Sequence, residues 1–214
     1  MASWAIHFRI ADAFLPRFSE DEKDSFVIGN IAPDCGRPAE GGYDPPTEVT
    51  HRAHAVNKTD CDWQYFLRRG VSAEKDRQKR AFFLGYCVHL ITDCLFGTEI
   101  CHAIEKNHGT FQANPQLVGL VKWEWYNLDF AYFRNHHSPS FDRFCAAADF
   151  DRDYPSFYQN GEIAAQMHYI RAFYKSHAPE ELHYIYTTPE QIEAFVRRAP
   201  QIIGELLLRE GYAI

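Results

Sequence analysis

Apolar and polar positions along the chain recur at helical rather than strand spacing. Residues 4–15 set Ile6, Ile10, Ala11 and Phe14 on one stripe, with Ser3 placed to cap the start and Pro16 to stop it. Residues 20–32 open on Glu20, Asp21 and Glu22, an acidic first turn that suits the helix dipole, and end at Pro33. A Gly- and Pro-rich loop follows from Cys35 to Pro46. Short helical segments are predicted at 47–56 and 60–69, the second with Asp60 near its start and Gly70 just beyond its end. A long helix is predicted from 74 to 95, running on toward 107 with a break at Gly97. Further helices are predicted at 115–135, 139–149, 161–176 and 189–209, the last with Thr188 as cap and Pro189 in its first turn. No hairpin or alternating strand is expected. The pattern predicts an all-α fold, a single multi-helix bundle domain spanning residues 1–214.

The long helix departs from the amphipathic pattern. Its segment Ala-Phe-Phe-Leu-Gly-Tyr-Cys-Val-His-Leu-Ile-Thr-Asp-Cys-Leu-Phe, residues 81–96, is apolar all round, as in a central helix surrounded by others. His89 and Asp93 interrupt it four residues apart, hence on one face. A buried carboxylate is costly unless it is paired or bound to a cation. Neutral imidazole and ionised carboxylate are a ligand pair that suits zinc. The alternative is a polar core pair in which His89 donates a hydrogen bond to Asp93. Other candidates lie elsewhere: His7 between Ile6 and Phe8, Asp34 just after Pro33, and His51 with His54 three residues on. Singly, each reads as a core histidine, a turn residue or a scattered imidazole. Together they put ligand-type side chains on four segments, and three or four such ligands commonly hold zinc in a bundle core.

Composition narrows the partners. At 214 residues, 46% hydrophobic and 15% aromatic, the chain can bury a large core. A net charge of −7 argues against an extended nucleic-acid surface, but leaves room for a metal-bridged phosphate ester in a small cleft. Neither a signal peptide nor an uncharged span of transmembrane length is read from the chain. Six cysteines form no Cys-x-x-Cys pair, and Cys87, Cys94 and Cys101 recur every seven residues. They read as small buried residues of a reducing cytosol, so a cytoplasmic location is expected. Trp123, Trp125 and Tyr126 either pack the core or line a pocket.

Four stretches then carry a likeness: Ile6-His7-Phe8-Arg9-Ile10-Ala11-Asp12; Gly29-Asn30-Ile31-Ala32-Pro33-Asp34; Thr50-His51; and Phe82-Phe83-Leu84-Gly85-Tyr86-Cys87-Val88-His89-Leu90-Ile91-Thr92-Asp93. In these the chain resembles the zinc-dependent phospholipase C family, structurally related to the S1/P1-type nucleases, and within it a small cytosolic bacterial branch. The resemblance covers residues 4–96 well, is weaker from 115 to 135 and slight beyond. It implies an all-α fold of phospholipase C/P1 nuclease type and a metal cluster that cleaves phosphate esters. It assigns one zinc to Asp34, His51, His89 and Asp93. It assigns a second to His7, to Asp93 as bridge, and to an N-terminal Trp through its amine and carbonyl. Here Trp4 follows Met-Ala-Ser and is internal. The family's third zinc uses a His ten residues after the helical His, then a His-x-x-x-Glu or His-x-x-x-Asp pair. This chain has Glu99 at the first place, and Trp125-x-x-x-Asp129 with Glu124 nearby at the second.

One or two zinc ions are therefore expected, with the third site altered or absent. Asp129, Glu124, Glu99 or solvent would complete the second. Asp34 is the expected catalytic carboxylate, orienting or deprotonating a water. The implied function is a metal-dependent phosphoric ester hydrolase acting on a small or lipid-derived phosphodiester. The alternative is a non-catalytic helical domain with a structural metal site.

Overall fold

A computed structural model describes residues 2–40, 42–72, 74–147, 150, 152 and 154–214. Its helices are α1 (Trp4–Phe14), α2 (Glu20–Ile31), α3 (Thr47–Thr50), α4 (Trp63–Phe66), α5 (Arg77–Phe96), α6 (His102–His108), α7 (Pro115–Asn135), α8 (Pro139–Ala146), α9 (Glu162–Ser176) and α10 (Pro189–Arg209). Between α2 and α3 lie two short strands, β1 (Arg37–Ala39) and β2 (Gly42–Asp44). The fold is all-α around one buried apolar cluster.

Capping chemistry sets the well-defined ends. Thr188 and Gln191 form a reciprocal capping box at the start of α10, with Pro189 in its first turn. Ser19 and Glu22 do the same for α2. Asp76 accepts the N–H groups of Gln78 and Lys79 to start α5. Ser3 does stand at the α1 N-cap, but its hydroxyl turns away and donates to Asp129. The segment predicted at 47–56 shortens to α3, because Arg52 takes left-handed backbone at φ 50°, which a right-handed helix cannot continue. Asp62 rather than Asp60 caps α4; Asp60 instead accepts the N–H groups of His54 and Ala55. Of the helix predicted at 139–149, residues 148 and 149 lie outside the described residues.

The hairpin was not expected. Arg37 pairs with Asp44 in an antiparallel register, and their side chains form an ion pair at 2.5 Å. Both strands are three residues long and lack a buried face, so no alternation marks them.

Helix α5 is the centre of the bundle, in contact with α1, α2, α4 and α10. It continues through one wider turn at Gly97–Cys101 into α6. The combined rod is long and apolar enough to cross a membrane by length and composition, but most of its apolar window is buried inside the fold, as suits a core helix. Its closest neighbour is α2. A Cβ on Gly29 would lie 2.0 Å from the Phe82 carbonyl oxygen, and one on Gly85 would lie 2.1 Å from that of Phe26. Glycine at both positions lets the two backbones touch. That contact fixes the height of His89 against the end of α2.

Candidate metal centre

The end of α2 and the turn after it deliver Asn30 and Asp34; α1 delivers His7; the end of α3 delivers His51; α5 delivers His89 and Asp93. The structure brings all five sequence candidates together. His7, His89 and Asp93 are fully buried, His51 is buried, and Asp34 keeps a small exposed edge. The rings of His7 and His89 stack at 3.7 Å between centroids, nearly parallel. His7 Nε2 lies 3.5 Å from Asp93 Oδ1, and His89 Nε2 lies 3.6 Å from Asp93 Oδ2 and 3.8 Å from Asp34 Oδ1. His51 Nε2 lies 3.5 Å from both Asp34 Oδ1 and Asp93 Oδ2.

Neighbouring groups orient the imidazoles. His89 Nδ1 donates to the Asn30 carbonyl at 2.8 Å, which leaves the lone pair on Nε2. The Asn30 side chain donates to the His7 carbonyl at 2.8 Å and ties α2 to α1. Thr50 Oγ1 lies 2.8 Å from His51 Nδ1, and Tyr86 donates to the Thr50 carbonyl at 2.5 Å, holding that turn against α5. The simple core pair between His89 and Asp93 is not what forms: 3.6 Å is too long for a hydrogen bond, and Nδ1 is committed elsewhere.

A sixth group completes the cluster. Lys58 is 2% exposed, and its Nζ lies 3.1 Å from Asp34 Oδ1, 3.1 Å from Asp93 Oδ2 and 2.5 Å from His51 Nε2. Sequence reasoning missed it. A lysine in Val-Asn-Lys-Thr-Asp, residues 56–60, carries the signature of a solvated loop and no periodic signal. Burial alone would lower the Lys58 ammonium, but Asp34 and Asp93 reverse that and hold it above the ordinary lysine value. Burial likewise acts to raise both carboxyls. Lys58 outweighs it, with His89 and His51 at Asp34 and with His51, His7 and His89 at Asp93, so both stay well below the usual carboxylate range. Burial, with His89 alongside, lowers His7 to about 4, so its imidazole is neutral.

The donor chemistry fits a divalent cation. Among the described residues neither nitrogen of His7 has a hydrogen-bond partner, nor does His89 Nε2. Buried acceptors that face carboxylate oxygens with nothing between them are stabilised by a cation. Two sets of ligand atoms lie within 4.8 Å of one another: His7 with Asp34 and His89, and His51 with His89 and Asp93.

The other candidates point elsewhere. His54 is exposed. Glu99 pairs with Arg198. Glu124 accepts the backbone N–H groups of Ile185, Tyr186 and Thr187. Asp129 accepts from Ser3 and Tyr174, and Trp125 donates to Thr187. None of them completes a second site. Beside Asp93 it is Ala2, not Trp4, whose backbone N–H donates to Oδ1 at 2.8 Å. Trp4 instead packs against Tyr126 and Tyr169.

A cavity of about 640 Å³ opens above the cluster, with Asp34, His51 and Lys58 in its floor. Arg37, Lys122, Trp4, Tyr126 and Tyr169 stand in its walls. Trp125 and Tyr126 line it, whereas Trp123 does not. The α7 residues one turn apart that face the cavity are Lys122 and Tyr126, an ammonium and a phenol rather than the imidazole and carboxylate of a third zinc site. Lys122 has no ion pair among the described residues.

A family model described as zinc dependent phospholipase C matches residues 4–143. No curated protein and no solved structure matches the chain. The match spans well over half of the sequence and includes His7, Asp34, His51, Lys58, His89 and Asp93, and the chain belongs to the zinc-dependent phospholipase C family.

Proposed function

We propose that the protein is a metal-dependent phosphoric ester hydrolase acting on a small or lipid-derived phosphodiester in the cytoplasm. The observation that carries the reading is the cluster of unpartnered imidazole acceptors and ionised carboxylates beneath a cavity with cationic walls. His7, Asp34 and His89 would hold a divalent ion, with Asp93 and His51 beside them. Such an ion, when bound, lowers the pKa of a coordinated water and neutralises charge on a phosphoryl oxygen.

The chain's own groups supply the rest. Among the described residues every side-chain contact of Asp34 runs through Oδ1. That leaves Oδ2 for the cavity side, where a carboxylate held ionised can orient a water and accept its proton. Lys122 and Arg37 can take the phosphate oxygens, and the rings of Trp4, Tyr126 and Tyr169 give apolar walls for an acyl or aromatic ester group. Among the described residues no disulfide joins any of the six cysteines, which supports a reducing compartment.

The test is turnover of bis-p-nitrophenyl phosphate and phosphatidylcholine by zinc-, manganese- and cobalt-loaded protein. Hydrolysis that disappears in Asp34→Asn and His89→Ala is expected. Activity that survives both substitutions would place the chemistry elsewhere. One observation favours the second reading, a helical domain with a structural metal: the carboxylates are already paired to Lys58, and three of the candidate ligands are closed to solvent. Absence of turnover with every metal and ester selects it.

A further inference from the structure

The two candidate ligand sets are not equivalent, because the His51 set already holds a positive charge. The Lys58 ammonium donates to Asp34 Oδ1 and His51 Nε2 and stands 3.1 Å from Asp93 Oδ2 as an ion pair. An ammonium donor requires a lone pair on His51 Nε2, so Nδ1 carries that ring's proton and donates to Thr50. A divalent ion ligated by these same atoms, at roughly 2.0–2.2 Å from each, would coincide with Nζ.

The backbone is built for this placement. Lys58 takes left-handed φ, which a residue with a side chain adopts rarely, and its N–H is tied to the Ala55 carbonyl at 2.9 Å. The turn points an otherwise solvent-seeking side chain inward, and lysine is almost never fully buried without a partner.

Charge and hydrogen bonding then divide the cluster in two. Asp34 and Asp93 bring two negative charges and Lys58 one positive, so one negative charge remains. Among the described residues neither His7 Nε2 nor His89 Nε2 has a hydrogen-bond partner: His7 Nε2 faces Asp93 Oδ1, the oxygen Lys58 does not touch, and His89 Nε2 stands 3.6 Å from Asp93 Oδ2 and 3.8 Å from Asp34 Oδ1.

We infer that Lys58 is a built-in cation standing in place of one metal ion, so that the chain takes a single divalent ion, on the His7–Asp34–His89 side. The inference rests on the preceding functional reading only in requiring that a divalent ion binds. It makes the centre a hybrid of one metal and one fixed ammonium. Position 58 then sets the metal count.

The full chain, saturated with zinc and dialysed, should carry one zinc per chain by elemental analysis. Zinc-soaked crystals should show one anomalous peak, between His7 and His89, with Lys58 still on Asp34 and Asp93. Lys58→Met purified with zinc should rise toward two per chain, whereas Lys58→Arg should stay at one. If Lys58→Met fails to fold, the wild-type peak decides alone. Two peaks in the wild-type protein, or one peak ligated by His51 with Lys58 swung away, overturn the inference while leaving the hydrolase reading intact. One peak at His7 and His89 without turnover keeps the inference and removes the hydrolase. No zinc at all overturns both.

Discussion

Substituting alanine for Gly85 tests how the centre is held. A Cβ there would stand 2.1 Å from the Phe26 carbonyl oxygen and 2.8 Å from the Asn30 nitrogen, where ordinary contact begins at 3.4 Å. Both obstacles are main chain in the second half of α2, with no flexible side chain to bend aside. Helix α2 must therefore retreat by about 1.3 Å. The 2.8 Å bond from His89 to the Asn30 carbonyl stretches toward ~4 Å, past hydrogen-bonding range. Overpacking costs about 1–3 kcal/mol and the buried donor left without a partner a similar amount, for a total of roughly 2–6 kcal/mol. For a chain of this length that lowers Tm by roughly 5–15 °C. Urea unfolding should show a lower midpoint at unchanged slope. Gly119→Ala is the control, because nothing lies within 4 Å of its Cβ position and it sits inside α7. It should gain about 0.5–1 kcal/mol from helix propensity. If both substitutions shift the midpoint in the same direction, the two helices do not touch as described.

Removing zinc with a chelator should lower Tm but leave the helical circular dichroism intact, since Lys58 keeps both carboxylates paired; collapse on chelation would contradict that pairing. Lys122→Met should raise KM for a phosphodiester at least tenfold with little change in kcat, because its unpaired ammonium faces the cavity; an unchanged KM removes it from substrate binding. The pH profile carries opposed terms. His7, lowered from 6.5 to about 4 by burial and by His89, contributes stability that is lost as pH falls through that interval. Asp129, raised from 3.8 to about 7 by burial, contributes stability that is present at low pH and lost as pH rises through 7. The two nearly cancel over their shared interval, and Asp34 and Asp93 add a loss only below 3.8. Asp129→Asn should therefore convert a flat profile into one that declines as pH falls below 6.5, measured by urea unfolding at stepped pH; a profile matching the parent rejects the Asp129 assignment.

Much of the fold was legible because its signals are local. Helices α7 and α10 begin and end at the residues read from sequence, since Pro in the first turn marks both starts and the Thr188 side chain caps the second. The hairpin and the short α3 were not legible, because neither exposed strands nor left-handed residues such as Arg52 leave a hydrophobic period. In the centre, His7, Asp34, His51, His89 and Asp93 stood out as polar residues beside apolar runs. Lys58 did not, because what buries it is the three acceptors around it, and those come from the turn after α2, the residue after α3, and α5. Asp129 was misread in the opposite sense. It was expected as one of the substitute ligands of the second site, but tertiary contacts commit it to Ser3 and Tyr174.

The part of the chain that carries the family pattern stops at residue 143, inside α8, yet it is not a unit that can stand alone. Helices α9 and α10 bury Ile163, Met167, Ile170, Ile192, Phe195, Ile203 and Leu207 in the shared core, and Tyr174 of α9 donates to Asp129 of α7. At about 1.5–3 kcal/mol for each buried side chain, these seven contribute on the order of 10–20 kcal/mol. That equals or exceeds the ~5–15 kcal/mol by which a whole domain is stable. Grafting residues 4–143 into another scaffold would therefore carry the ligands without the walls that hold them apart, and the chemistry of the centre is heritable only together with a C-terminal part that supplies none of its ligands.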